Sequence, residues 1–240
     1  MTGYKVELTG SEEVAEGTMA FHFTRPAGFD FRAGQAIDVT LIDPPETDPE
    51  GNVRTFSIAS PPSEDQLTIA TRMRDSAFKQ VLRHARTGLE VSLEGPSGSL
   101  TLHKNAGKPA VFLAGGIGIT PFLSIVRQAA KDKLDRPLYL FYSNRRPEDA
   151  AFLNILRTLA QEHPQFHFVA TMTQMETSHR PWTGERGMID AAMLFRHVLD
   201  LVGPIFYIAG APAMVAALRN MLVTAKVDED DVRTEDFSGY

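Results

Sequence analysis

Between His103 and Pro109 the hydrophobic pattern of the chain changes its period, and that change limits what the chain can fold into. Ahead of it, apolar and polar residues alternate in short runs, at Lys5–Leu8, Thr18–Thr24, Gln35–Leu41, Arg54–Ala59, Gln66–Met73 and Leu89–Glu94. Period-two alternation buries one face of a strand and wets the other. Asp43-Pro44-Pro45 and Ser60-Pro61-Pro62 punctuate the runs, and only Ser76–Ala85 has helical spacing in this half. So many short strands without crossover helices predict an antiparallel β-barrel over residues 1–104. Beyond the polar linker His103–Pro109, apolar runs at Ala110–Ala114, Leu138–Tyr142, Phe166–Thr171 and Ile205–Ala209 alternate with amphipathic runs at Pro121–Lys131, Pro147–Glu162, Ile189–Val198 and Pro212–Ala225. Right-handed crossovers then predict an α/β doubly wound parallel sheet over residues 105–240.

Composition narrows the function classes. A chain of 240 residues suits two domains of this size, and a formal charge of −6 argues against nucleic acid as a partner. These residues include no cysteine, which removes disulfides, thiolate nucleophiles and cysteine-held zinc or iron–sulfur clusters from them. No segment approaches the roughly 18 apolar residues of a membrane span, so a soluble, cytoplasmic monomer is the expectation. The histidines are dispersed without a ligand pair, and no metal site is expected. Ser97, Ser99 and Ser143 lack a nucleophile elbow, and Glu229, Asp230 and Asp231 read as a solvated face.

Three segments carry chemistry. Ala114-Gly115-Gly116-Ile117-Gly118-Ile119-Thr120-Pro121 follows an apolar strand and opens a helix, with Thr120 as the expected cap. Glycines there let the backbone turn tightly against a diphosphate, whose charge the helix N-terminus favours. Arg54-Thr55-Phe56-Ser57 opens a barrel strand and combines a guanidinium for phosphate, a ring for a flat heterocycle and hydroxyls for ring nitrogens. Alternation assigns Arg54 and Phe56 to one face, Thr55 and Ser57 to the other. Arg72-Met73-Arg74-Asp75-Ser76 leads into the one helix of that half, with Ser76 or Asp75 as its N-cap. Each segment taken alone also fits an ordinary turn, strand or cap.

In this order the segments resemble the ferredoxin–NADP reductase superfamily, in which a flavin-binding barrel precedes a nicotinamide-binding domain. Arg54-Thr55-Phe56-Ser57 is similar to its Arg-x-Tyr-Ser motif, flanked by Gly34-Gln35 and Gly95-Pro96-Ser97-Gly98. Gly115–Pro121 is similar to its nicotinamide diphosphate loop, Gly210-Ala211-Pro212-Ala213-Met214 to its later Gly-x-Pro segment, and Glu235–Tyr240 to its aromatic terminus. The resemblance implies that Arg54 and Arg72 hold the diphosphate of FAD, with Thr55 beside them and the helix start at Ser76 taking remaining charge. It further implies that Phe56 packs on the flavin and that Ser57 hydrogen-bonds near flavin N5. Gly115, Gly116, Gly118 and Thr120 would cradle the diphosphate of NADH or NADPH, Gly210 and Pro212 would wall the nicotinamide, and Phe237 or Tyr240 would cover the flavin as a movable gate.

Three departures accompany the match: Phe56 replaces Tyr, Asp75 stands where Gly is usual, and Ala209 where Cys is usual. Ser143, Arg145 and Arg146 are the candidates for an adenosine ribose phosphate. Thr173-Gln174 lacks an adjacent arginine and Trp182-Thr183-Gly184 resembles NADH-using relatives, so NADH is the favoured donor. The implied activity is hydride transfer from NAD(P)H to FAD and onward electron transfer to a separate ferredoxin, flavodoxin or oxygenase component. Reduction of a free flavin, quinone or ferric chelate, or a non-catalytic flavoprotein subunit, are the alternatives.

Overall fold

A computed structural model describes residues 3–198, 200 and 203–237. Its first half holds strands β1 (Tyr4–Ala15), β2 (Thr18–Thr24), β3 (Ala36–Leu41), β4 (Val53–Ser57), β5 (Gln66–Arg72) and β6 (Glu90–Ser97), with helix α1 (Ala77–His84) between the last two. They pair antiparallel in the order β4-β3-β6-β1-β2-β5, a barrel-like sheet. Phe21 and Phe23 of β2 and Leu67 and Ile69 of β5 point inward to the barrel core, where Phe78 and Leu82 of α1 join them. Those two α1 residues are four apart and share one helix face. Ala20 and Ala70, on the opposite faces of β2 and β5, pack instead against the second half of the chain. Small residues on that outer face let the two halves approach closely.

The second half holds β7 (Ala110–Gly115), α2 (Ile119–Lys131), β8 (Leu138–Asn144), α3 (Leu153–Glu162), β9 (Phe166–Met172), β10 (Glu185–Arg186), α4 (Ala191–His197), β11 (Ile205–Gly210), α5 (Pro212–Thr224) and β12 (Val232–Asp236). All six strands are parallel, in the order β10-β9-β8-β7-β11-β12. β7 is central and apolar along its length, as a strand covered on both faces must be. One face packs on α2, α3 and the barrel, the other on α4 and α5. Since α2 is wedged between sheet and barrel, Ile119, Phe122, Leu123, Ile125 and Val126 are all buried. The Ser124 hydroxyl donates to the carbonyl of Ser60 at 2.7 Å, a buried bond across that seam.

Three expectations are corrected. Pro147–Glu162 is not one helix: a 3-10 turn at Pro147–Asp149 precedes α3, and Phe152 adopts a left-handed φ of 60°. Asp149 is held there by two 3.0 Å hydrogen bonds from Arg146, which redirects the backbone before the helix begins. Residues 104–107 of the linker are exposed, whereas His103 at its start is only 5% exposed and its ring lies 2.9 Å from the Tyr207 hydroxyl. Thr120 does not cap α2; a 3-10 turn at Gly116–Gly118 leads into the helix, and the Thr120 hydroxyl donates back to the Ile117 carbonyl. Finally, the acidic terminus is structured: Asp231 pairs with Lys108 at 2.7 Å, and the residues after it form β12.

Candidate active site

Strand order in the parallel sheet reverses at β7, whose loop leads to α2, and β11, whose loop leads to α5. Crevices at such a reversal, beyond the carboxyl ends of the strands, are where open α/β sheets bind ligands. Gly115–Thr120 and Gly210–Pro212 meet there. A Cβ on Gly118 would lie 2.2 Å from the Ala209 carbonyl oxygen, so this glycine permits the loop to lie on β11. Gly116 is different: its φ is +52° and nothing lies within 4 Å of where its Cβ would be. Of the loop's glycines, Gly116 has its side-chain direction open. Pro212 is the first residue of α5, where a missing N–H costs nothing.

Against this crevice, on the barrel side, lies a cavity of about 600 Å³. Thr55, Phe56 and Ser57 of β4 line one side; Ile117 and Thr120 of the glycine loop between β7 and α2, and Phe237 just past β12, line another. Residues expected on opposite faces of β4 therefore border the same space. The Phe56 ring lies 5.9 Å from that of Phe78, anchored to the barrel core. Thr55 donates to the Asp38 carboxylate across the β3–β4 pair. Phe237 is fixed by its amide, which donates to the Gly210 carbonyl at 3.0 Å. Tyr240 lies outside the described residues.

Ser57 is 4% exposed and its hydroxyl has no hydrogen-bond partner among the described residues. A buried hydroxyl without a partner costs stability, and such groups occur where a ligand supplies the missing bond. Its place on the wall of a cavity with flat aromatic and cationic ends fits a flavin-sized heterocycle carrying phosphate.

The cavity's polar end gathers Arg54, Arg72, Arg74, Ser76 and Lys79. Ser76 caps α1 by accepting from the Lys79 amide at 3.3 Å. Burial, then the charges of Arg74 and Arg54, hold the Lys79 ammonium below its ordinary pKa. Asp48, from the β3–β4 loop, accepts from the Ala77 amide at 2.9 Å and from Arg54 at 3.3 Å. Desolvation pushes its carboxyl up, but the amides of Ala77 and Glu50 and the Arg54 guanidinium outweigh that and hold it below the usual range.

At the end of β8, Arg146 donates twice to Asp149 and once to Glu16, each at 3.0 Å. Arg145 reaches Asp149 only at 3.6 Å and is 47% exposed. Ser143 sits opposite Gly115 in the β7–β8 register, on the α4–α5 side of the sheet. These three residues are near the loop but do not line the cavity.

Sequence reasoning placed Arg74 beside the phosphate-binding helix start but did not assign Asp48, Lys79 or Glu235. Glu235 lies between Arg233 and Phe237 on the same face of β12, and burial, reinforced by Asp236, raises its carboxyl above the ordinary value. The alternation Arg233, Glu235, Phe237 was the available signal for it.

A family model described as an oxidoreductase NAD-binding domain matches residues 112–220. The reductase component of propane 2-monooxygenase from Mycolicibacterium smegmatis is 30% identical over 218 residues, 89% of this chain and 61% of that one. The ferredoxin–NAD(P)+ reductase component of the naphthalene 1,2-dioxygenase system of Pseudomonas putida is 30% identical over 192 residues, 79% and 55% of the two chains. The chain thus spans about 60% or less of the length of these curated relatives. A ferredoxin NADP+ reductase from Neisseria gonorrhoeae, solved with FAD and NADP, superposes with a TM-score of 0.81 at 21% identity, covering 98% of this chain and 99% of that one.

Proposed function

We propose that the chain is a member of the ferredoxin–NADP reductase superfamily and works as a flavoprotein reductase, taking hydride from NADH through FAD to a separate electron acceptor. The observation that carries this reading is the partnerless Ser57 hydroxyl in a cavity that the barrel strand β4 and the diphosphate loop of the second domain line together. FAD would lie with its ring system between Phe56, Ser57 and Phe237, and would supply the two-electron chemistry and the ability to release electrons singly.

The chain's own residues bind, orient and exclude. Ser57 donates to or accepts from the flavin edge, which fixes the ring in its plane. The open side of Gly116 and the N-terminus of α2 receive the nicotinamide cofactor's diphosphate. Gly210 and Pro212 would border the nicotinamide, and Phe237 would cover the flavin face that the nicotinamide uses, its ring moving aside when the donor enters. Glu235, whose carboxyl burial raises above its ordinary value, stands on β12 two residues before Phe237. NADH is favoured because Asp149 and Glu16 already occupy Arg146, leaving Arg145 as the one loosely held guanidinium of the pair.

The acceptor is a ferredoxin, a flavodoxin or an oxygenase component, a reading supported by the relatives' names as reductase components of oxygenase systems. It also agrees with these 240 residues having no cysteine to hold a cluster. Among the described residues no helix is long and apolar enough to cross a membrane. Anaerobic titration of flavin-loaded protein with NADH and then NADPH tests the proposal. Bleaching of the flavin band near ~450 nm, faster with NADH, is expected. A flavin that neither donor bleaches would refute the reductase reading. Phe237→Ala should alter the hydride-transfer rate, and an unchanged rate would remove the gate.

A further inference from the structure

The seam between the two halves has a second opening, at the far end of α2 from the glycine loop, about 18 Å along the helix. It is a groove of about 510 Å³ between the β4–β5 loop, the last turn of α2 and the end of α3. Bonds across and beside the seam set its walls. The Ser63 amide donates to the Gln128 side-chain carbonyl at 3.0 Å, and Arg25 donates to the carbonyls of Pro62 at 2.6 Å and Glu64 at 3.0 Å. Arg127 of α2 pairs with Glu64. The loop is therefore held against the helix, and a ligand would meet a groove already formed.

Glu64 is the acid on the groove wall and Arg127 already neutralises it, so Lys131 and Lys133 leave a surplus of two positive charges, with His163 beside them. Among the described residues no carboxylate lies within 4.0 Å of either ammonium group. The acids next in sequence are engaged elsewhere: Asp132 accepts from the Gln128 side-chain amide at 2.9 Å and Asp135 from that of Gln165 at 2.7 Å. Lys131 alone meets the preference of a helix C-terminus for a cation. Lys133, two residues beyond α2, has a left-handed φ of 51°, at a place where helices commonly put glycine. A side chain kept where the backbone favours none points to a use for that side chain. The floor is apolar. Pro61 is buried, Ala130 and Leu159 are half-buried, and Ile155, one turn ahead of Leu159 on α3, extends the strip outward at 45% exposure.

We infer that this groove binds an apolar-tailed carboxylate, its head between Lys131 and Lys133 and its hydrocarbon body over Pro61, Ala130 and Leu159 toward Ile155. A compact anion would leave the strip wet, and a neutral hydrocarbon would leave the two ammonium groups unpaired. The occupant touches the β4–β5 loop of the first half and α2 and α3 of the second, so binding favours the closed seam. None of these residues lines the flavin-sized cavity, and the inference stands apart from the flavin reading.

The test is calorimetric titration of the full chain with octanoate, with acetate, which has the head without the tail, and with inorganic phosphate. Octanoate should bind with a dissociation constant of about 1 mM or below, and the other two at least about tenfold more weakly. Lys131→Gln with Lys133→Gln should weaken octanoate by about tenfold, and Ile155→Ser by about threefold, through the loss of charge and of apolar floor. Lys104→Gln, at an exposed lysine of the linker, should leave it within about twofold. Octanoate bound no more tightly than acetate or phosphate would overturn the assignment. So would affinity within about twofold of wild type in both groove variants, or an equal loss in Lys104→Gln.

Discussion

Gly118→Ala and Gly116→Ala change the same loop by one methyl group each, two residues apart, and should have very different effects. At position 118 the new Cβ would lie 2.2 Å from the oxygen and 2.5 Å from the carbon of the Ala209 carbonyl, and 2.7 Å from the Gly210 nitrogen. Carbon and oxygen do not approach much closer than about 3.2 Å without repulsion, so one side must move by about 1 Å. The obstacle is backbone, and it is held on both sides: Ala209 pairs with Ala114 of β7 and with Glu235 of β12. Overpacking a closely packed site costs about 1–3 kcal/mol, and an obstacle that cannot rotate away puts this variant at the top of that range. At position 116 no atom lies within 4 Å and the cost is that of a left-handed alanine, about 1 kcal/mol. For a chain of this length each kcal/mol shifts the thermal midpoint by roughly 2–4 °C, so Gly118→Ala should fall by about 6–12 °C and Gly116→Ala by about 2–4 °C. Calorimetry at equal flavin content makes the comparison. Gly116→Ala should lose affinity for the nicotinamide cofactor out of proportion to its small stability change, because its methyl group enters the open side of the loop. A Gly118→Ala midpoint no lower than that of Gly116→Ala would refute the division of roles.

Ser57→Ala removes a buried hydroxyl that has no partner, and should raise the stability of the apo-protein by about 1 kcal/mol while weakening flavin binding; a lower apo midpoint would show that the hydroxyl is satisfied within the protein. Tyr207→Phe deprives the buried amide of His103 of its acceptor and should cost about 1–3 kcal/mol, measured by denaturant unfolding. Burial, ahead of the charges of Arg136 and Arg233, holds the His103 imidazole below its ordinary value of 6.5. The unfolded chain therefore binds the proton first, so the contribution of His103 is complete above about pH 6.5 and is lost as pH falls toward the folded value. Thermal midpoints of wild type and His103→Asn between pH 7.5 and 5 should converge on acidification, and parallel curves would rule out His103 as the group responsible.

Much of the fold was legible because both halves follow one period for long stretches. Phe166–Met172 and Ile205–Gly210 end within one residue of their expected bounds, since a strand covered on both faces is apolar from end to end. β12 escaped notice because Val232-Arg233-Thr234-Glu235-Asp236 is a polar edge strand, with β11 as its one neighbour in the sheet. The break before α3 was hidden because Arg146 and Asp149 are three apart, a spacing that a helix also favours. At the candidate site, motif residues Phe56, Ser57, Thr120 and Phe237 do line one cavity. Asp48 was not readable: a carboxylate in a Pro-rich loop has no periodicity, and its partner Ala77 is a backbone amide 29 residues away. The burial of His103 was not readable either, because its partner Tyr207 lies 104 residues later in the chain.

The way the two halves are joined determines how the cavity can open. Ala20, Ala59, Ala70 and Leu100 of the first half belong to the same buried cluster as Ile119, Phe122 and Ile125 of α2. Ser124 adds a hydrogen bond to Ser60, and Arg146 with the Glu148 carbonyl holds Glu16 in the β1–β2 turn. Hinging the halves apart would expose this apolar surface at about 25 cal/mol for each Å² and break those bonds as well. Phe237, by contrast, follows an edge strand, is partly exposed, and is anchored by one amide bond to Gly210. Displacing it gives up the contact of one partly buried ring with the edge of that cluster, far less apolar surface than hinging the halves apart would expose. Gly210 also lies against Gly115 of the glycine loop, so on the proposed function a donor entering at Gly210 and Gly116 would act directly on the residue that holds the Phe237 amide. On that reading the cavity's least costly route of access would be local and donor-linked, the seam keeping the barrel and the sheet in fixed register while Phe237 moves.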